Sequence, residues 1–318
     1  MKIDETIKEK VLVIVGPTAV GKSKIAIELA KKHNGEIISA DSMQVYKGMS
    51  IGTAKLSSDE MQGVKHHLID VAEPTENFSV AEYQKLARKA IFSILQRDKL
   101  PILVGGSGLY IKAVIDELGF PKGTLKSTFR QDIEKQAKDD PKSLHKQLSK
   151  LDPSAAKKIH PNNIRRLIRA LEIVNITGKS YADYHKNWEK ESSLYNVKIF
   201  GLNLNREKLY AKIDKRVEQM FKNGLVEEVE KLVSSGKLKS TTALQALGYK
   251  EIIRYLNGQI VLDEAKELIK QRTKNFAKRQ LTWFKRDKRI KWIDTDGKEQ
   301  SLIVNEIIDN LDFGRKSE

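Results

Sequence analysis

Apolar and polar positions along this chain switch between two periods. Residues 11–15, VLVIV, are a continuous β-branched run, the pattern of a strand buried on both faces of a parallel sheet. From Lys22 to His33 the apolar positions Ile25 and Leu29 fall one turn apart and predict an amphipathic helix. Residues 36–40, EIISA, predict a second strand. His66 to Val71 and Ile102 to Val104 predict two more, with a helix from Val80 to Gln96 between them. Strands alternating with helices imply an α/β fold with a parallel sheet flanked by helices.

The strand signal then disappears from about Lys122 to Lys190. Phe129 to Lys138, Pro141 to Leu151 and Asn163 to Thr177 read as helices. Breaks fall at Asp140-Pro141, Asp152-Pro153, His160-Pro161 and Thr177-Gly178. Strand character returns from Val197 to Leu204. The rest reads as mostly helical, with a short strand near Ile290 to Ile293. The simplest organisation is an α/β core, residues 1–119 and 197–318, interrupted by an all-helical insertion at 120–196.

Gly16-Pro17-Thr18-Ala19-Val20-Gly21-Lys22-Ser23 matches G-x-x-x-x-G-K-[ST] in full. Chance produces such a match in on the order of one chain in a hundred. Here it also lies between an expected strand and an expected helix, which makes the sheet P-loop NTPase-like. Glycines let backbone N–H groups converge on an anion, and the helix N-terminus adds partial positive charge. Lys22 is the expected phosphate contact and Ser23 the expected Mg²⁺ ligand. The motif specifies a phosphate chain, whether that of ATP or of another diphosphate.

Strand 36–40 ends at Asp41. Ligands of open α/β sheets bind beyond the carboxyl ends of the strands, so Asp41 is expected to face the phosphate loop. It could hold Mg²⁺ through water, accept a proton from a nucleophile, or cap the next turn. Gln44, Tyr46 and Lys47 follow on the expected rim, and Lys55 adds a cation. Residues 102–110, ILVGGSGLY, form a further strand with a Gly-rich turn in which Ser107 and Tyr110 offer hydroxyls.

Composition narrows the partners. The chain has 318 residues and no cysteine, which excludes disulfides and thiolate metal sites. No apolar run approaches a membrane span, and the N-terminal stretch lacks a signal-peptide layout. A cytoplasmic protein is expected. The net charge of +16 favours polyanionic partners. Arg165, Arg166 and Arg169 cluster on one expected helix. Lys270, Arg272, Lys274, Lys278, Arg279, Lys285 and Arg286 crowd another stretch, with Trp283 and Phe284 among them. Cations interleaved with aromatics suit an RNA backbone with unstacked bases.

Several segments together resemble the bacterial tRNA dimethylallyltransferase family. They are Gly16 to Ser23, Asp41-Ser-Met-Gln-Val-Tyr46, Met49-Ser-Ile-Gly-Thr-Ala-Lys55, Gly105-Gly-Ser-Gly-Leu-Tyr110, Arg169-Ala-Leu-Glu172, Leu247-Gly-Tyr-Lys-Glu251 and Lys278-Arg-Gln-Leu-Thr-Trp283. They run in order over nearly the whole chain. Two departures stand out. Ser107 replaces the family's threonine but keeps the hydroxyl, and Asn162-Asn-Ile-Arg-Arg166 stands where Asn-Asp-Pro-Gln-Arg is expected.

The resemblance implies transfer of a dimethylallyl group from dimethylallyl diphosphate to the exocyclic amine of the adenosine 3′ to the anticodon. The P-loop then holds the prenyl donor's diphosphate, with Mg²⁺. Thr18, Lys22, Ser23 and Arg216 match the family's diphosphate, metal and leaving-group residues. Asp41 matches the carboxylate that orients the amine and takes its proton. The resemblance implies tRNA contacts at Asp41, Ser42, Met43, Gln44, Ser107, Arg130, Arg165, Arg166, Leu167, Ile168, Arg169, Lys278 and Arg279. The target base is expected to flip into a channel, with the helical insertion gripping the anticodon stem-loop of a monomeric enzyme.

Overall fold

The computed structural model describes residues 9–120, 128–186 and 192–312. Strands β1 (Lys10–Val15), β2 (Gly35–Ala40), β3 (His66–His67), β4 (Leu100–Gly105), β5 (Asn196–Asn203) and β6 (Ile290–Asp294) form one parallel sheet in the order β3-β2-β4-β1-β5-β6. The β-branched run at 11–15 lies at its centre. Val11, Val13 and Val15 enter one core layer with Tyr83 and Ile111, while Leu12 and Ile14 enter another with Ile25, Leu29 and Ile213. Successive side chains of a strand point to opposite faces, so a strand covered on both sides needs an unbroken apolar run.

Helix α1 (Lys22–Lys32) follows β1. A single turn of helix, α2 (Ser58–Met61), precedes β3. Helices α3 (Val80–Leu95) and α4 (Gly108–Ile115) flank β4 in the chain. Helix α3 starts where a capping box forms: Ser79 and Glu82 each accept the other's backbone N–H. The strand expected from His66 to Val71 stops after two residues. Leu68 and Asp70 adopt positive φ of 63° and 55°, which breaks the extended run, and the amides of Val71 and Ala72 turn to the Val45 carbonyl instead.

The chain divides into two compact units. One runs to Ile115 and resumes at Ser193; the other spans Asp116–Ser192, against expected limits of 120 and 196. The named elements of the second unit's described residues are all helices: α5 (Thr128–Asp139), α6 (Pro141–Leu151), α7 (Pro153–Lys158), α8 (Ile164–Thr177) and α9 (Tyr181–Lys186). Leu144, Leu148, Ala155, Leu167, Leu171 and Ile173 form its core. Asp152 ties α7 to α9 by accepting from Ala155 N, Ser154 Oγ, Ser180 Oγ and Tyr181 N. Burial opposes the charge on this carboxylate, but the four bonds outweigh burial and lower its pKa.

The first unit continues with α10 (Arg206–Lys222), α11 (Leu225–Ser234), α12 (Tyr249–Leu256), α13 (Leu262–Phe284) and α14 (Gln300–Asp309). Among the described residues no helix is long and apolar enough to cross a membrane.

Candidate active site

The phosphate loop joins β1 to α1. Its last glycine, Gly21, has φ +103°, a conformation that a side chain would strain, and it sets the first turn of α1 with its N–H groups open. One cavity of the first unit is lined by Thr18, Lys22 and Ser23 from this loop, and by Asp41, Gln44, Gly106, Arg216 and Gln280. These residues come from the ends of β1, β2 and β4 and from helices α10 and α13. The strand-end rule therefore holds here, with neighbours in the sheet supplying the three loops.

The charges in this cavity act on one another. Lys22 Nζ donates to the Pro17 carbonyl at 2.7 Å. Burial lowers its pKa from 10.5 to about 7; the Arg216 guanidinium pushes the same way and the Asp41 carboxylate opposes. Arg216 is also lowered by burial, with Asp41 again opposing. Arg216 Nη1 donates to Thr18 Oγ1 at 3.0 Å. Two cations held so close in a partly dry cavity are a site for a multivalent anion.

Asp41 lies across from them. Its Oδ1 accepts from Met43 N at 2.8 Å and Gln44 N at 3.3 Å. Capping the next turn is thus one role that Asp41 fills. Among the described residues Oδ2 has no hydrogen-bond partner, and Asp41 lines the cavity. Ser42 N donates to Ser107 Oγ at 3.3 Å, which joins the second loop to the third. Gln44 is committed within the protein. Its Nε2 donates to the carbonyls of Thr53 and Ala54, and its Oε1 accepts from Ser39 Oγ at 2.9 Å.

The structure places the remaining expected residues as follows. Tyr46 is fully buried, its hydroxyl directed at Ser240 and the Phe78 amide. Lys47 pairs with Glu73. Lys55, with only 4% of its side chain exposed, is bound to Asp70 and the Tyr46 carbonyl, so its charge fastens the loop. Met43 is half-buried against the core beneath it. In the second unit Leu167 and Ile168 belong to the core: on α8 they face inward while Arg165 and Arg166 face solvent. Arg130 and Arg169 both reach the fully buried Glu172 carboxylate at 3.2 Å.

The basic run on α13 and just after it splits in two. Lys270, Arg272 and Lys274 are spent on Glu218, Glu251 and Asp214. Lys278, Arg279, Lys285 and Arg286 remain exposed. Trp283 is 42% exposed, while Phe284 is buried.

Three participants were not legible as such. Gln280 is buried and hydrogen-bonded to both the phosphate loop and the third loop. His66 lines the cavity and donates from Nδ1 to the Val64 carbonyl; burial is the main cause of its lowered pKa. Glu228 accepts from the amides of Ser50, Ile51 and Gly52 and from the Tyr249 hydroxyl, and so holds the segment that orients Gln44. A lone Gln or Glu within a helical pattern carries no signal of such a role.

For a metal, the described residues offer no cluster of three or more His, Asp or Glu side chains. The oxygen donors Ser23 and Asp41 do line the same cavity. That fits a hard cation such as Mg²⁺, which keeps most of its waters and arrives with a phosphate chain.

The sequence pattern of the IPP transferase family matches residues 44–287. A tRNA dimethylallyltransferase from Carboxydothermus hydrogenoformans is 52% identical, with 94% of this chain and 96% of that protein covered. One from Anoxybacillus flavithermus is 50% identical, covering 94% and 95%. The crystal structure of a tRNA isopentenylpyrophosphate transferase from Bacillus halodurans superposes with a TM-score of 0.72 at 45% identity, covering 96% of each chain. A eukaryotic dimethylallyltransferase solved acting on tRNA gives a TM-score of 0.80 at 31% identity, covering 97% of this chain and 81% of that one. With a parallel sheet, a phosphate loop and relatives matched over almost its whole length, this chain belongs to the IPP transferase family.

Proposed function

We propose that this protein transfers a dimethylallyl group from dimethylallyl diphosphate to the N6 amine of the adenosine 3′ to the anticodon in tRNA. The observation that carries the reading is the sharing of one cavity by the phosphate loop, Arg216 and Asp41. The relatives named tRNA dimethylallyltransferase support the substrate pair.

The chemistry asks for two opposed environments. The amine nitrogen attacks C1 of the donor while the C1–O bond breaks, and the electron pair leaves with the diphosphate. Backbone N–H groups of the phosphate loop, Lys22 and Arg216 stabilise the charge that builds there. Ser23 would hold Mg²⁺ at the phosphate loop, and the ion would add further stabilisation of that charge. The N6 proton goes to Asp41 Oδ2, the carboxylate oxygen that the Asp41 cap leaves over. An adenine amine is a weak nucleophile, so holding it close and removing its proton both matter. A stacked base cannot enter such a cavity, and base flipping is part of the proposal. Arg130, Arg165, Arg166 and Arg169 of the second unit, with Lys278 and Arg279, are assigned to the tRNA backbone. The working enzyme is placed in the cytoplasm, where mature tRNA is, as a monomer.

The test is direct. Wild-type protein is incubated with tRNA, Mg²⁺ and dimethylallyl diphosphate, and the digested nucleosides are analysed by mass spectrometry. N6-dimethylallyladenosine beside the anticodon is expected, with none formed when ATP replaces the donor. Phosphate transfer from ATP to any acceptor contradicts the proposal.

A further inference from the structure

Helix α13 sends one buried polar side chain toward the cavity. Gln280 Oε1 accepts the Thr18 N–H at 2.8 Å, and Gln280 Nε2 donates to the Gly106 carbonyl at 3.0 Å. Thr18 belongs to the loop after β1 and Gly106 to the loop after β4, and these two strands are neighbours in the sheet. The amide therefore spans the crevice in which ligands of open α/β sheets bind. The fit is close: a Cβ at Gly106 would lie 2.0 Å from Gln280 Nε2. One turn further along α13, a Cβ at Gly108 would lie 2.0 Å from the Trp283 ring. Gln280 and Trp283 thus bracket Ser107, whose hydroxyl accepts from Ser42 N. Thr18 itself is gripped twice, at its amide by Gln280 and at its hydroxyl by Arg216.

We infer that Gln280 is a positioning residue, fixing the donor-binding loop at Thr18 relative to the acceptor-side loop at Gly106 and Ser107. The inference rests on the prenyl-transfer reading above. Group transfer is sensitive to such registration, since a displacement of about 1 Å between reacting parts can cost a hundredfold in rate. A primary amide suits the task because it offers one acceptor and one donor at a fixed separation.

The experiment compares wild type, Gln280→Met and Gln280→Glu, all well below their melting temperatures. Prenyl transfer to an anticodon stem-loop RNA is measured under single-turnover conditions, alongside donor KM and RNA Kd. Gln280→Met keeps the size and loses both bonds. Its rate at saturation should fall about ten- to a hundredfold, with RNA affinity within twofold of wild type. Gln280→Glu matches the amide only when protonated, since a carboxylic acid can accept from Thr18 N–H and donate to Gly106 O. Its rate relative to wild type should therefore climb as pH falls from about 8 to about 5, approaching tenfold per unit above the new carboxyl's pKa. A merely structural residue would give no such profile. Wild-type rates in Gln280→Met, or a flat Gln280→Glu to wild-type ratio across that range, overturn the inference. Absence of transfer by wild type itself overturns the prenyl-transfer reading instead.

Discussion

Arg216 and Thr18 stand 198 positions apart in sequence, and a 3.0 Å hydrogen bond from Arg216 Nη1 to Thr18 Oγ1 brings them together at the phosphate loop. The arginine rides on α10, which follows β5, the strand beside β1. A guanidinium placed there adds a second cation to Lys22. If it stabilises charge on the leaving diphosphate, Arg216→Gln should lower the single-turnover rate about a hundredfold to a thousandfold, as losing one preorganised donor to a developing anion typically does. RNA affinity should stay within twofold. A variant with the wild-type rate removes Arg216 from the chemical step.

Lys22 gives a pH signature. Its ammonium has a pKa of about 7 against an ordinary 10.5, mainly through burial. A bound diphosphate restores the charge, so above about pH 7 donor binding must take up a proton. Calorimetry at about pH 8.5 in buffers of different protonation enthalpy should show uptake approaching one proton per donor. Lys22→Arg should abolish it. Binding without uptake in the wild type contradicts the assignment.

Much of the fold was legible because it rests on short-range pattern. The β-branched run at 11–15, the helix from Lys22 and the loss of strand signal after the third loop each follow from local periodicity and punctuation. The phosphate loop was legible because its spacing is fixed by the anion that it wraps. What escaped is long-range. Leu167 and Ile168 sit inside a basic motif, and only the packing of α8 shows them facing the core. Tyr46 and Lys55 follow Asp41 in sequence, yet one is core and the other is bound to Asp70. Gln280 gains its place through a bond across 262 positions, which no window of sequence reveals.

Away from the cavity, Glu36 is a stability element. It is 3% exposed and meets His67, Arg97 and Lys99. Burial pushes its pKa up, but the hydrogen bonds and cations outweigh burial and hold it at about 2 instead of 4.5. A carboxylate with a depressed folded pKa contributes stability above its unfolded pKa and loses it as pH falls through the folded value. Urea unfolding of wild type and Glu36→Gln should therefore differ by on the order of 3 kcal/mol above about pH 5. The gap should close toward about pH 2. Parallel stability curves over that range contradict this role.

The two classes of residue on α8 should separate cleanly. Arg165 and Arg166 are exposed, and replacing either with Ala should reduce the slope of log RNA affinity against log salt by about 0.7 to 0.9. Leu167→Ala should leave that slope unchanged and cost about 2 to 5 kcal/mol of stability through the cavity it creates. Filter binding across a salt series, paired with thermal unfolding, checks both. A flat salt dependence of wild-type binding removes RNA as the partner.

Asp41 and Lys22 share one cavity yet are assigned to opposite ends of the transfer, and Asp41→Asn separates those ends. The change keeps the size and the capping oxygen but removes the base, whose loss typically costs about a hundredfold to ten-thousandfold. Donor affinity and single-turnover prenyl transfer to tRNA are measured on this one variant. Near-normal donor affinity with a rate reduced by at least about a hundredfold is the result expected of a general base. A large loss of donor affinity, with turnover restored by excess Mg²⁺, makes Asp41 a metal-holding residue and contradicts the assignment.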